Sequence, residues 1–310
     1  MDKNPLVSVI VNYWESINYL EQCIDSIQNQ VYQNWEIIFI DNNSNKSPKK
    51  ILNRIKNSKL KYYKLKEYNP LGKARNIALN KCSGDFIAFI DTDDIWHKNK
   101  LLLQIKQFQR DKNLGIVICE SNTIINNKII KKKKSFSEND KSHLENLIYS
   151  NFIVMSSALI KKEVISKHNI KFQDDFEVLE DTLFFFQIIS KSGLFHFKEV
   201  LCYWRFTKNS HTFINTKKLF EEKLFFKKKY LESNEYKKQI STNAILNYDI
   251  NLKILEATSN LYNDNSYISR KILKPYIKKS CKLIFIYILT FFPKKLSFFI
   301  YEYIFKRPLI

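Results

Sequence analysis

Three carboxylates fall within four residues in the stretch Gly84-Asp-Phe-Ile-Ala-Phe-Ile-Asp91-Thr92-Asp93-Asp94-Ile-Trp96. Clustered negative charges raise one another's pKa, so such a turn is costly unless a cation answers it. Hard oxygen ligands select Mg2+ or Mn2+, and magnesium commonly takes one or two protein carboxylates and completes its sphere with phosphate oxygens. The same residues also suit a helix N-terminus, with Asp93 or Asp94 capping the next helix. On these residues alone the two readings stand level. A second acidic pair, Glu180-Asp181, precedes the apolar run Leu183-Phe-Phe-Phe-Gln-Ile-Ile189. A carboxylate above an apolar helix loses hydration, which moves its pKa toward that of a general base. An ordinary helix cap is the alternative, and without further information the favoured one.

The elements that must position these acids alternate along the first half of the chain. Val7-Ser-Val-Ile-Val11 reads as a buried strand, and Leu20, Cys23, Ile24 and Ile27 then recur at the spacing of one apolar helix face. Glu36-Ile-Ile-Phe-Ile40 is the next strand, followed by the polar turn Asp41-Asn-Asn-Ser44. A helical segment around 48–55 leads to Lys61-Tyr-Tyr-Lys-Leu65, then a helix over about 72–81 and a strand at 86–90. Leu101, Ile105 and Phe108 line a further helix before a fifth strand at 115–119. Such alternation predicts an α/β fold, a parallel sheet with helices on both faces. Ligands of such sheets sit beyond the carboxyl ends of the strands, which singles out Asp41 and Asp91.

Composition excludes several classes. Only four glycines occur, at 72, 84, 115 and 193, so neither a dinucleotide fingerprint nor a phosphate-loop motif can be built. The five cysteines are too scattered for a zinc ribbon or a redox pair, and their odd number fits a reducing cytosol. The first apolar stretch, Leu6 to Val11, is too short for a secretory leader. Net charge is +20, of which residues 211–310 contribute +11. That field attracts anions: nucleotides, phospholipid head groups or nucleic acid. Residues 120–150 are a polar interruption, rich in lysine from Lys131 to Lys134, expected as an exposed hairpin or loop. Beyond Thr216 the chain turns to lysine-rich helical sequence, giving two expected parts, 1–215 and a helical extension 216–310. Two apolar runs within 283–305 are each too short for a bilayer span of about 20 residues. They suit helices lying in a membrane interface, or helices packed back on the protein.

Several segments occur together in order: Ser8-Val-Ile-Val with Tyr19-Leu20, Ser26-Ile27-Gln-Asn-Gln30, Glu36-Ile-Ile-Phe-Ile-Asp41-Asn-Asn-Ser44, Asn69-Pro-Leu-Gly72-Lys-Ala74-Arg75-Asn76, the Asp91–Asp94 cluster and Glu180-Asp181. In these the chain resembles the family 2 glycosyltransferases, whose fold, a mixed and mainly parallel sheet flanked by helices, is called GT-A. The resemblance covers about residues 6–212. It implies that Asn12-Tyr13-Trp14 forms a loop packing on the nucleotide base, and that Asp41 and Asn42 contact base or ribose. Many relatives carry a second acid where Asn42 stands, and an amide both donates and accepts, so the preferred base stays open. It further implies that Arg75 lies near the nucleotide, that Asp93 ligates the metal, and that Asp91 serves ribose or the metal's water. By the same resemblance Asp181, rather than Glu180, Asp174 or Asp175, is the general base. Tyr203-Trp204-Arg205 and the stretch Thr207 to Thr212 resemble the loop closing over the diphosphate, with Arg205 gripping phosphate. Thr207 stands where relatives often carry a histidine; His211 comes later.

The expected activity is therefore inverting, Mg2+- or Mn2+-dependent transfer of one sugar from a nucleotide-diphosphate donor to a glycan or lipid-linked acceptor in surface polysaccharide synthesis. The expected place is the cytoplasm, at the inner face of the cytoplasmic membrane, with peripheral contact through residues 283–305. Two other classes compete: a catalytically inactive GT-A-like membrane scaffold and a basic nucleic-acid-binding protein. The last is the weaker, because no reading module is present and the aromatics lie mainly in apolar runs.

Overall fold

The computed structural model describes residues 4–131, 142–149, 151–206, 216–279 and 281–305. The chain divides into two compact units, Met1–Lys208 and Asn209–Ile310.

The first unit is built on one sheet of order β3-β2-β1-β4-β8-β6-β9-β5, with β7 paired to β6. The central strands β1 (Val7–Tyr13), β2 (Trp35–Asp41) and β4 (Phe86–Asp91) are nearly continuous runs of β-branched and aromatic residues, buried on both faces. Such runs suit interior parallel strands. Together with β3 (Leu60–Lys64) they form the parallel half of the sheet. Leaving β1, the chain moves outward through β2 to β3 and then returns to place β4 on the other side of β1. The order therefore reverses between β1 and β4, the place beyond whose carboxyl ends ligands of such sheets bind.

The other half of the sheet carries the antiparallel pairs that make it mixed, as the resemblance implies. The strand expected at 115–119 lies within β6 (Leu114–Ile125) and reaches the sheet through β8 (Leu159–Lys161), antiparallel to both β4 and β6. β9 (Gly193–Arg205) then runs parallel to β6, and β5 (Ile95–Trp96) antiparallel to β9. Apolar runs mark a buried strand but carry no information on its direction. Asn126 and Asn127 both have positive φ, making the tight turn that joins β6 to β7 (Lys128–Ile130) in an exposed hairpin. Of the lysine run, Lys132, Lys133 and Lys134 lie outside the described residues.

Helix α1 (Ile17–Gln28) buries Leu20, Cys23, Ile24 and Ile27, as the periodicity requires. The segment expected as helix over 48–55 is only one turn, α2 (Lys49–Leu52). Helices α3 (Leu71–Leu79), α4 (Lys100–Arg110), α5 (His143–Tyr149), α6 (Lys162–Lys167) and α7 (Glu180–Ile189) complete the layers. Within α7, Leu183, Phe184, Phe185 and Phe186 are all buried, so the helix is an interior strut and its first turn is its one polar end.

The regular elements described in the second unit are helices, including α8 (Thr216–Phe226), α9 (Thr242–Tyr262), α10 (Ser266–Leu273), α11 (Cys281–Leu289) and α12 (Lys294–Phe305), with turns across 232–241. Leu283, Ile286 and Leu289 of α11 pack with Ala257, Leu261 and Leu273. The Ser297 hydroxyl donates to the Leu289 carbonyl at 2.7 Å, fastening α12 to the end of α11. Ile284, Ile288, Leu296 and Phe299 stay exposed on these two helices, and Phe291 and Phe292 on the turn between them. Among the described residues no helix is long and apolar enough to cross a membrane.

Candidate active site

The acidic turn hangs from the end of β4. It is closed by the Asp94 amide donating to the Asp91 carbonyl at 3.0 Å, and the Asp91 amide donates to Ser156 Oγ at 3.1 Å. Neither Asp93 nor Asp94 caps a helix, since β5 follows the turn and α4 starts only at Lys100. The three acids have different surroundings. Asp94 is fully buried, accepts from the Ser156 hydroxyl and takes the Arg205 amide at 3.0 Å. Burial, with Asp91 and Asp93 beside it, pushes its carboxyl well above the usual range. Asp93 is pushed from the usual 3.8 to about 6, first by burial and then by Asp91. Asp91 is the half-exposed member. Asp91 and Asp93 are thus the two members of the cluster that are not fully buried. Among the described residues, no group of three or more acidic, histidine or cysteine side chains suffices to hold a metal.

Arg75, on α3 and almost wholly buried, joins this turn to the second acidic pair. Its Nη2 lies 3.5 Å from Asp91 Oδ1, and its Nη1 donates to Glu180 Oε1 at 3.1 Å. The guanidinium also stands 5.4 Å from the Phe172 ring centroid. Close approach of α3 to α7 is possible because residue 72 lacks a side chain. A Cβ there would meet Phe172 Cβ at 3.3 Å and Glu180 Cγ at 3.7 Å. Glu180 thus anchors the first turn of α7, and its neighbour Asp181 accepts from the Thr182 amide, with Asn151 Nδ2 at 3.5 Å. Burial raises the Asp181 carboxyl; Arg75 offsets part of that rise.

The remaining expected residues are placed less uniformly. Trp14, after β1, is exposed and packs against Tyr68 with ring centroids 5.0 Å apart. Asn12 Oδ1 is buried and has no hydrogen-bond partner among the described residues. Asp41 and Asn42, expected near base or ribose, are both buried and hydrogen-bonded within the protein. Asp41 accepts from the Ser44 amide at 2.8 Å and from the Tyr62 hydroxyl at 2.6 Å. Asn42 donates to the Asn69 carbonyl at 2.7 Å and accepts from the Asn69 amide at 2.9 Å. Arg205, expected to grip phosphate, also makes hydrogen bonds within the protein. Its Nε donates to the Asp93 carbonyl at 3.0 Å, Nη1 to Asn127 at 3.1 Å and Nη2 to Gln22 at 2.9 Å, with the guanidinium 3.9 Å from the Tyr19 ring centroid. One of these donors thus holds the acidic turn, while the other two tie the arginine to the β6–β7 hairpin and to α1. Thr207 to Thr212, with His211, lie outside the described residues. Sequence reasoning missed Ser156, Tyr62, Tyr68 and Gln22, none of which belongs to a patterned motif.

Residues 8–168 match the family model for glycosyl transferase family 2, slightly more than half of the chain. The chain belongs to glycosyltransferase family 2. A glucosyltransferase of Escherichia coli, WfgD, named for transfer from UDP-Glc to GlcNAc-diphosphoundecaprenol, is 33% identical over 127 residues, 41% of this chain and 50% of that protein. The putative teichuronic acid biosynthesis glycosyltransferase TuaG of Bacillus subtilis is 34% identical over 33% of this chain and 41% of its own length. An uncharacterised glycosyltransferase of Rickettsia bellii is 38% identical over 34% of this chain and only 15% of its own length. The matches to these family members thus span half or less of the relatives' lengths. Among solved structures, Staphylococcus aureus TarS with UDP-GlcNAc superposes with TM-score 0.62 at 15% identity, covering 94% of this chain and 87% of that one. The mannosyltransferase PcManGT of Pyrobaculum calidifontis, with GDP-Man and Mn2+, gives 0.60 at 17% identity, covering 90% and 77%. The fold of this family member is GT-A.

Proposed function

We propose that this chain moves one sugar, with inversion, from a nucleoside-diphosphate donor to a hydroxyl of a glycan or lipid-linked acceptor in surface polysaccharide synthesis. The observation that carries this reading is the linked pair of acidic sites. Asp91 and Asp93 stand at the carboxyl end of β4, and Arg75 ties Asp91 to the first turn of α7, which carries Asp181. The UDP-Glc donor for which WfgD is named and the nucleotide sugars bound to TarS and PcManGT support the donor class. The lipid-linked acceptor of WfgD and the teichuronic acid role of TuaG support the polysaccharide setting.

The acidic turn fits a hard divalent cation. Asp93 is held in a state that disfavours its own charge, and Asp94 is already engaged, so Asp91 and Asp93 are the two carboxylates left for a cation whose sphere phosphate oxygens would complete. Asp93, assisted by Asp91, would hold Mg2+ or Mn2+, which when bound supplies Lewis-acid neutralisation of the diphosphate leaving group. Asp181 accepts the proton of the acceptor hydroxyl as that oxygen bonds to the anomeric carbon, and the bond from that carbon to the diphosphate oxygen breaks on the opposite face. Arg75 and Glu180 keep the base in register with the donor.

Replacing Asp181→Asn keeps the shape and removes the base. Turnover of a nucleotide-sugar panel with Mn2+ is expected to fall at least ~100-fold with donor affinity nearly unchanged. Retention of near wild-type turnover would contradict the assignment. A peripheral contact with anionic membrane belongs to the same reading. Its support is the exposed apolar side of α11 and α12 beside exposed Lys274, Lys278, Lys279 and Lys295.

A further inference from the structure

We propose that Ser156 is a positioning residue that sets the carboxylates of Asp91 and Asp93 for the cation, an assignment that rests on the cation-assisted reading above. Ser156 is fully buried in the single-turn helix Met155–Ser157, between α5 and β8. Its hydroxyl accepts from the Asp91 amide at 3.1 Å and donates to Asp94 Oδ2, so one oxygen joins the first and last residues of the acidic turn. That double duty needs a group that both donates and accepts. A methyl side chain would leave the Asp91 amide and an oxygen of the buried Asp94 carboxylate without these partners. The two residues between are held as well. Thr92 Oγ1 lies 2.5 Å from Ser16 Oγ, and the Asp93 carbonyl accepts from Arg205 Nε at 3.0 Å. None of these bonds uses a carboxylate oxygen of Asp91 or Asp93. The turn is therefore fixed through every group except the two that the cation needs.

Ser156 is itself gripped by the chain that follows the acidic turn. Its carbonyl accepts from Trp96 Nε1, on β5, at 2.7 Å. The next carbonyl, that of Ser157, accepts from Gln104 Nε2, on α4, at 2.9 Å, and the same nitrogen donates to the Val117 carbonyl at 3.0 Å. The Gln104 amide oxygen in turn accepts from Lys100 Nζ at 3.0 Å. Lys100 is wholly buried, makes no ion pair among the described residues, and stands 4.1 Å from the Trp96 ring centroid. Burying an ammonium without a carboxylate is costly, so its place needs a reason. Here it claims the amide oxygen of Gln104 and thereby turns both N–H groups toward backbone carbonyls. A polar chain thus runs from α4 through residues 155–157 to the acidic turn. Ligands held in this way need no rearrangement when a cation arrives, which favours its capture.

The test is the Mn2+ affinity of full-length wild type, Ser156→Ala and Ser156→Thr, read by electron paramagnetic resonance with UDP or GDP present and corrected by protein-free controls, beside thermal unfolding in a chelator. Positioning predicts that Ser156→Ala weakens Mn2+ binding at least about tenfold at a temperature where it is folded, and that Ser156→Thr, which keeps the hydroxyl, restores it. A lowered melting temperature with unchanged Mn2+ affinity would make Ser156 merely structural and overturn the proposal, as would equal loss in the threonine variant. Should Ser156→Ala not fold, Trp96→Phe decides: it removes the donor to the Ser156 carbonyl, leaves the hydroxyl in place, and is expected to weaken Mn2+ binding about threefold. Unchanged affinity in that variant overturns the proposal. These outcomes leave the cation reading intact, whereas wild type that binds no Mn2+ with either nucleotide overturns both.

Discussion

Asp93 carries an electrostatic burden in the absence of a cation. Its carboxyl is raised from 3.8 to about 6, so the folded protein resists its ionisation. The unfolded chain ionises first as pH rises, so the penalty is absent below about pH 4 and complete above about pH 6. Asp93→Asn is therefore expected to stabilise the metal-free protein by about 1–2 kcal/mol at pH 7.5, with the gain shrinking as pH is lowered toward 4. Thermal unfolding in a chelator at several pH values measures it; a destabilised variant at pH 7.5 would contradict the strain. The acids themselves were legible, because three carboxylates in a short turn and a carboxylate above an apolar helix are local patterns. The engagement of Asp41, Asn42 and Arg205 was not. Their partners, Tyr62, Asn69 and Gln22, lie 21, 27 and 183 residues away in sequence, and no periodicity announces such pairs.

At the scale of elements, the site depends on how closely α3 approaches α7. Gly72→Ala places a methyl group 3.3 Å from Phe172 Cβ and near Glu180. The gain in helix propensity, up to about 1 kcal/mol, offsets most of the crowding, so stability is expected to change little. Displacing Glu180 and Arg75 shifts the base relative to the donor, and turnover is expected to fall about tenfold. Wild-type turnover with an unchanged melting temperature would show that the contact does not set the geometry. The parallel half of the sheet was readable because its strands are continuous apolar runs separated by amphipathic helices. The other half was not. β9 alternates poorly between buried and exposed positions and is paired to β6 through register shifts, which weakens any period-two pattern.

For the whole molecule, charge and apolar exposure coincide in the second unit. Full-length protein is expected to float with anionic vesicles at low salt, and Phe291→Ser with Phe299→Ser to reduce that binding about tenfold or more without lowering the melting temperature. Unchanged flotation of the double variant would place the contact elsewhere. The two apolar runs could not be resolved as packed or exposed from sequence, and each is both: α11 buries Leu283, Ile286 and Leu289 and exposes Ile284 and Ile288. The central claim, a donor diphosphate held through a cation at the β4 turn, is tested most directly by titrating UDP and GDP into wild type and Asp93→Ala, with Mn2+ and with chelator. The account predicts that Mn2+ tightens binding of one nucleotide by at least about tenfold in wild type, and that Asp93→Ala abolishes this gain. Nucleotide affinity that ignores both the metal and the substitution would contradict it.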